Sequence, residues 1–215
     1  MKTNTFQFNR KLKFAGLLVL AFSFSNVMKA QQLSFGPKLG ITSTTGAGDD
    51  VPSQTESITN IVGGVFFKVG SDGIFSFQPE ILYHPKGGVY EDDNFRYELN
   101  IDYLEIPLLF KVQIPVGETV YPFVYAGPYG AFELGNEETG EFFIFQGTGT
   151  ADISDFDAGA VLGAGLDFQV SNMYLGLDLR YGIGMVNIYD AEDPDDQPDI
   201  KNRAFSVMVG LGINL

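Results

Sequence analysis

The sequence predicts an all-β protein, an eight-stranded antiparallel up-and-down transmembrane β-barrel, and three observations lead there. The first is strict alternation at the C-terminus: Phe205, Val207, Val209, Leu211, Ile213 and Leu215 share one face, and Ala204, Ser206, Met208, Gly210, Gly212 and Asn214 the other. Such a run exceeds most soluble strands and suits the roughly 9–11 residues that a tilted strand needs to cross a bilayer. The second is polarity. Over 173–185 the charges of Asp178 and Arg180 share a face with Gly176, Gly182 and Gly184, opposite Leu175, Leu177 and Leu179. A dry interior cannot hold that charged face, so it lines a lumen while the apolar face meets lipid. The third is rhythm, with short connections at 70–73, 115–118 and 171–172 and long ones at 44–57, 84–98, 135–155 and 187–201. Short periplasmic turns and long external loops alternate this way in outer-membrane barrels, which puts both termini on the periplasmic side.

Along the chain, residues 1–30 read as a cleaved signal peptide, because Lys2, Arg10, Lys11 and Lys13 precede the apolar run 14–22, which is too short to span a membrane as a helix. Residues 31–215 then form one barrel domain. Period-two patterning places strands at 33–43, 58–69, 73–83, 99–114, 121–134, 158–170, 173–185 and 204–215. The pattern is weakest in the second and fifth strands, where Gly63, Gly64, Pro122 and Pro128 blur the faces. The sixth and seventh meet at the tight turn Ser171-Asn172, as a hairpin requires.

Composition narrows the function classes. The net charge is −14, and removing the signal with its five basic residues, Lys2, Arg10, Lys11, Lys13 and Lys29, takes it to −19. Such a chain repels nucleic acid. Cysteine is absent from an exported protein, so stability rests on a closed sheet and not on disulfides. The 26 glycines, 20 phenylalanines and 10 tyrosines favour strands and turns over helices.

Face parity turns Lys38, Lys68, Glu80, Glu105, Lys111, Asp167, Asp178 and Arg180 inward. An eight-stranded lumen is only wide enough for side chains, so these residues read as a structural polar network of opposed charges. No His, Ser or Cys stands beside the carboxylates to complete a catalytic set, and no catalytic residue is expected. The single histidine, His84, ends the third strand before Pro85 and reads as a surface or girdle residue. Acid clusters crowd the long loops; Asp190, Asp193, Asp195, Asp196 and Asp199 are the weak candidates for a calcium loop. That run contains Pro194 and Pro198 and lacks the glycine of an EF-hand turn, so it reads as a solvated tip, and neither metal nor cofactor is expected. The Gly-x-Gly pairs at 163/165, 182/184 and 210/212 lie inside strands and are not nucleotide loops. Tyr83, Tyr103, Tyr121, Tyr125, Tyr174 and Tyr181 read as an interfacial girdle.

Four strings carry a family resemblance: Phe35-Gly-Pro-Lys-Leu-Gly-Ile41, Phe77-Gln-Pro-Glu-Ile-Leu-Tyr83, Tyr103-Leu-Glu-Ile-Pro-Leu-Leu-Phe-Lys111 and Tyr125-Ala-Gly-Pro-Tyr129. In order and spacing they resemble the PorT-like outer-membrane barrels of the Bacteroidetes, the third being the most specific. The resemblance implies a small barrel of OmpA- or OmpX-like architecture in the bacterial outer membrane and implies no activity. One departure is the final Leu215, where many outer-membrane barrels end in an aromatic. The expected function is non-enzymatic: a monomeric barrel whose acidic extracellular loops serve a structural or interaction role, with outer-membrane lipid around it and an unidentified protein or glycan as its external partner. The alternatives are a rim-site hydrolase or acyltransferase using His84 with loop carboxylates, and an accessory component of a protein secretion system.

Overall fold

The computed structural model describes residues 31–49, 51, 55–71, 74–92, 95–142, 145–151, 153–189 and 199–215. The signal peptide expected over 1–30 and the candidate calcium ligands Asp190, Asp193, Asp195 and Asp196 lie outside them. The strands are β1 (Gln31–Ala47), β2 (Thr55–Glu56), β3 (Ile58–Ser71), β4 (Phe75–Tyr83), β5 (Lys86–Asp92), β6 (Phe95–Gln113), β7 (Val120–Phe142), β8 (Phe145–Gly149), β9 (Phe156–Val170), β10 (Met173–Gly184) and β11 (Lys201–Asn214).

Eight of them close a ring in the order β1-β3-β4-β6-β7-β9-β10-β11, with β11 returning to β1 through pairs such as Leu39↔Val209 and β6 joined to β7. Closure satisfies every strand edge, which is what allows a sheet to stand in lipid. The two-residue turn between β9 and β10 needs a backbone of positive φ, and Ser171 adopts it at 57°.

Polarity decides the environment. Along β10 exposure alternates residue by residue: Leu175, Leu177 and Leu179 face out, Tyr174, Asp178 and Arg180 in. Leu177 is 40 % exposed and its neighbour Asp178 only 3 %, the reverse of a soluble barrel. Leu39, Ile61, Val65, Phe110, Val124, Leu162 and Val209 continue the exposed apolar belt around the ring.

Two of the expected long loops are strand instead. Within 84–98, β5 continues the register of β4 along β6, since Tyr83 pairs with Leu104 and Lys86 with Ile101, and the pairing runs on to Asp92 and Phe95. Within 135–155, β7 runs on to Phe142 and returns as β8. The reason lies on β6. Below Tyr103 its outward residues are Leu104, Ile106, Leu108 and Phe110; above it they are Asp102, Asn100, Glu98 and Arg96. A strand leaving the bilayer exchanges its greasy outer face for a wet one, so the lipid-facing pattern stops while the ladder continues. At that boundary the β6–β7 register shifts, between Asp102 and Tyr103, with one extra residue on β7. The 44–57 loop is shortened at both ends, by β1 reaching Ala47 and by β2, which pairs with β5.

Candidate functional site

The ring strands bring inward charges from every side to one axis. Lys38 on β1 reaches Glu80 on β4 at 2.7 Å and Asp178 on β10 at 2.6 Å. Arg180 reaches the same two carboxylates at 2.7 and 3.3 Å, closing a four-membered ring of ion pairs. Tyr125 donates to Asp178, and the Arg180 Nε donates to the Tyr125 hydroxyl at 3.0 Å. Towards the chain termini, Asp167 accepts from Lys111 at 2.8 Å, from Gln113 at 2.8 Å and more distantly from Lys68 at 3.4 Å. All eight residues of the expected network therefore face the lumen, and they fall into these clusters except Glu105, which belongs to a third.

That third cluster, on the mouth side, was not anticipated. Lys86 bridges Glu105 at 2.7 Å and Asp157 at 3.1 Å, and Tyr129 and Asn202 also donate to Asp157. Among the described residues the ion-paired network in the lumen thus joins five cations, Lys38, Lys68, Lys86, Lys111 and Arg180, to five carboxylates, Glu80, Glu105, Asp157, Asp167 and Asp178. The side chains of these ten are nearly all buried, and charges so far from water persist only when paired and hydrogen-bonded. Lys86 was missed because it lies within the 84–98 interval read as loop, and Asp157 because it lies one residue before the strand expected from 158, so neither was assigned a face.

His84 is neither surface nor girdle; it is 3 % exposed and points into the lumen. Its Nδ1 lies 3.1 Å from Glu105 Oε2 and its Nε2 3.1 Å from Thr42 Oγ1, to which the Ser206 hydroxyl donates. A carboxylate only accepts, so Nδ1 donates to it, and in the neutral ring Nε2 accepts from Thr42. His84 shares the parity of Glu80 and Leu82, so its side chain continues the inward face, and its backbone N–H donates to the Tyr103 carbonyl at 2.9 Å, which carries the ladder past Pro85 to Lys86.

The tyrosine girdle is also corrected. Tyr83 and Tyr181 face out and Tyr121 is half-buried, but Tyr103, Tyr125 and Tyr174 are buried in the lumen. Parity contained the signal: Tyr103 shares a face with Glu105, and Tyr174 with Asp178. The outward rings are chiefly phenylalanines, with Phe132 tilted against Phe156 at one end and Phe35 stacked on Phe67 at the other.

Voids of about 10 Å³ interrupt the network, one beside His84 and Arg180 and one beside Lys111 and Tyr174. Each has room for roughly one water, far less than a hydrated ion or solute needs. Above the network the inward face turns apolar, and a cavity of about 280 Å³ opens at the mouth. Among the described residues no group of three or more His, Asp or Glu side chains could hold a metal, and Asp199 instead pairs with Lys201.

The model of the outer membrane protein beta-barrel domain family matches residues 29–190. Solved structures similar in fold include Neisserial surface protein A, at 10 % identity and TM-score 0.48 over 83 % of this chain and 96 % of that one. The outer membrane protein OprG of Pseudomonas aeruginosa is 13 % identical with TM-score 0.48, covering 87 % and 97 %. The attachment invasion locus protein Ail of Yersinia pestis is 11 % identical with TM-score 0.41, covering 85 % and 98 %. No curated protein matches the chain.

Proposed function

We propose, on the premise that this chain belongs to the outer membrane protein beta-barrel domain family, that it is a non-enzymatic, non-conducting barrel that anchors a strand-built extension at the bacterial surface. The observation that carries this reading is the balanced network of five cations and five carboxylates, which crosses the lumen below the mouth cavity and has voids of about 10 Å³ beside it. A network of that kind holds opposite walls together and offers no path for solutes. Above it stands the wet part: β5, β8 and the upper halves of β6 and β7, with Glu91, Arg96, Glu98 and Glu137 facing outward. In this reading residues 1–30 are the export signal, the 31–215 barrel is a monomer, and both termini are periplasmic. The short turns on the side of the termini support that orientation, and the Tyr103–Lys111 string supports kinship with PorT-like barrels. The test is conductance of the purified protein in planar bilayers, where no stable channel is expected. A steady ohmic pore overturns the proposal. An epitope tag after Leu215 is expected to be shielded from protease in intact cells.

A catalytic reading has one observation in its favour. Thr42, His84 and Glu105 line up as hydroxyl, imidazole and carboxylate at 3.1 Å spacings, the order a nucleophilic site uses. Space is against it: Thr42 is 1 % exposed and the adjoining void admits about one water, not an acyl substrate. The discriminating experiment is His84→Ala with lipid and peptide turnover as readout. Any turnover that this change abolishes while the barrel remains folded favours the enzyme.

A further inference from the structure

The inward face of β6 changes character along its length. From Gln113 to Glu105 it carries the ion network; from Tyr103 to Phe95 it carries Tyr103, Ile101, Leu99, Tyr97 and Phe95. Those residues line the mouth, where the cavity of about 280 Å³ is walled by Tyr90, Phe95, Tyr97 and Leu99 on one side and by Ile188 and Ile200 on the other. Within the aromatic wall Phe95 and Tyr97 are stacked at 6.5 Å and 14°. The Tyr97 hydroxyl donates to Glu138 at 2.9 Å, and burial together with that bond pushes its phenol up, so it stays neutral. The floor is Asn202, whose amide is turned down to Asp157 in the network.

We infer that this cavity is a binding site for a small, uncharged, apolar ring compound. Size, charge and depth each restrict the occupant. An apolar cavity of roughly 150 Å³ holds benzene, so about twice that volume suits two fused rings, on the order of a dozen heavy atoms. Among the described residues no Lys or Arg lines the cavity, while Glu138 adjoins it and the whole chain carries −14, so an anionic ligand is repelled. The pocket is blind, because the ion network seals it from below; the ligand binds and leaves by the same mouth. Mostly apolar concave walls with a few polar atoms are the usual form of a small-molecule site. The adjoining stretch 190–199 carries six carboxylates and two prolines, the wrong chemistry to fill an apolar pocket from within the chain. This inference goes beyond the anchoring role and does not depend on it.

The experiment uses the full barrel in lipid nanodiscs and 1-aminonaphthalene, which is uncharged at neutral pH. Tryptophan is absent and Tyr90, Tyr97 and Tyr189 line the site, so energy transfer from tyrosine reports occupancy. Saturable transfer is expected over that of empty nanodiscs. Leu99→Trp, which fills the cavity, is expected to weaken binding at least tenfold, and Leu99→Ala, which enlarges it, to preserve binding. Naphthalene-1-sulfonate is expected to bind at least tenfold more weakly than the amine. Transfer that never saturates, that survives Leu99→Trp in a barrel whose circular dichroism is unchanged, or that is equal for the sulfonate overturns the inference. Conductance is read on the same preparation, so failure of the sealed-lumen reading is distinguishable from failure of the pocket.

Discussion

Arg180→Met tests whether the lumen network carries structural weight. Arg180 and Lys38 each touch both Glu80 and Asp178, at distances from 2.6 to 3.3 Å, so the four side chains form a neutral square. Removing Arg180 leaves two carboxylates sharing Lys38, a net negative charge in a place where Glu80 and Asp178 are at most 3 % exposed. Breaking a buried pair from one side costs about 3–5 kcal/mol, and burial this complete calls for little discount for solvent screening. With an m-value of roughly 1–3 kcal/mol per molar urea, the unfolding midpoint falls by about 1 M or more. The double change Arg180→Met with Glu80→Gln restores balance, since Lys38 keeps Asp178 and Gln78 Nε2, now 2.7 Å from Glu80 Oε1, can still donate to a carbonyl there. It is therefore expected to recover about 1–3 kcal/mol relative to Arg180→Met alone. The assay is urea unfolding in lipid vesicles followed by far-ultraviolet circular dichroism. If Arg180→Met lies within about 0.5 kcal/mol of the parent, or if the two changes simply add, the network is not what holds the walls together.

Other outcomes follow from the same geometry. Leu177→Arg, on the lipid face near the middle of β10, should destabilise by about 2–4 kcal/mol in vesicle unfolding, whereas Glu98→Lys on the wet outer face of β6 should stay within about 1 kcal/mol. Gly163→Ala places a methyl against the Tyr125 ring and the Leu179 carbonyl, and overpacking there should cost about 1–3 kcal/mol in the same assay; an unchanged midpoint refutes that close approach. His84→Asn should preserve folding and external epitopes while lowering the urea midpoint, because the contacts to Glu105 and Thr42 are buried; an unaltered midpoint means those contacts contribute nothing.

Much of this molecule is legible in one dimension. Period-two alternation in 173–185 and 204–215 specifies strands, their inverted polarity specifies lipid outside and charge within, and short turns fix neighbours; none of this needs distant contacts. The same parity fixes which charges face inward, though not that Tyr103, Tyr125 and Tyr174 join them, because an aromatic suits both a membrane interface and a lumen. Tertiary structure alone decided the rest. Partners such as Lys38 and Asp178 are 140 residues apart, and only closure of the ring sets them 2.6 Å from one another. Lys86 and His84 lay in an interval whose outer face is wet, so the lipid-driven alternation that reveals a strand was missing, and Asp157 lies just before the alternation that begins at 158; pairing along β6 and β7 showed all three to be part of the wall. The mouth cavity belongs to that second category: each of its residues is an ordinary apolar side chain in the sequence, and it exists because strands rising out of the bilayer turn their greasy face from lipid to axis.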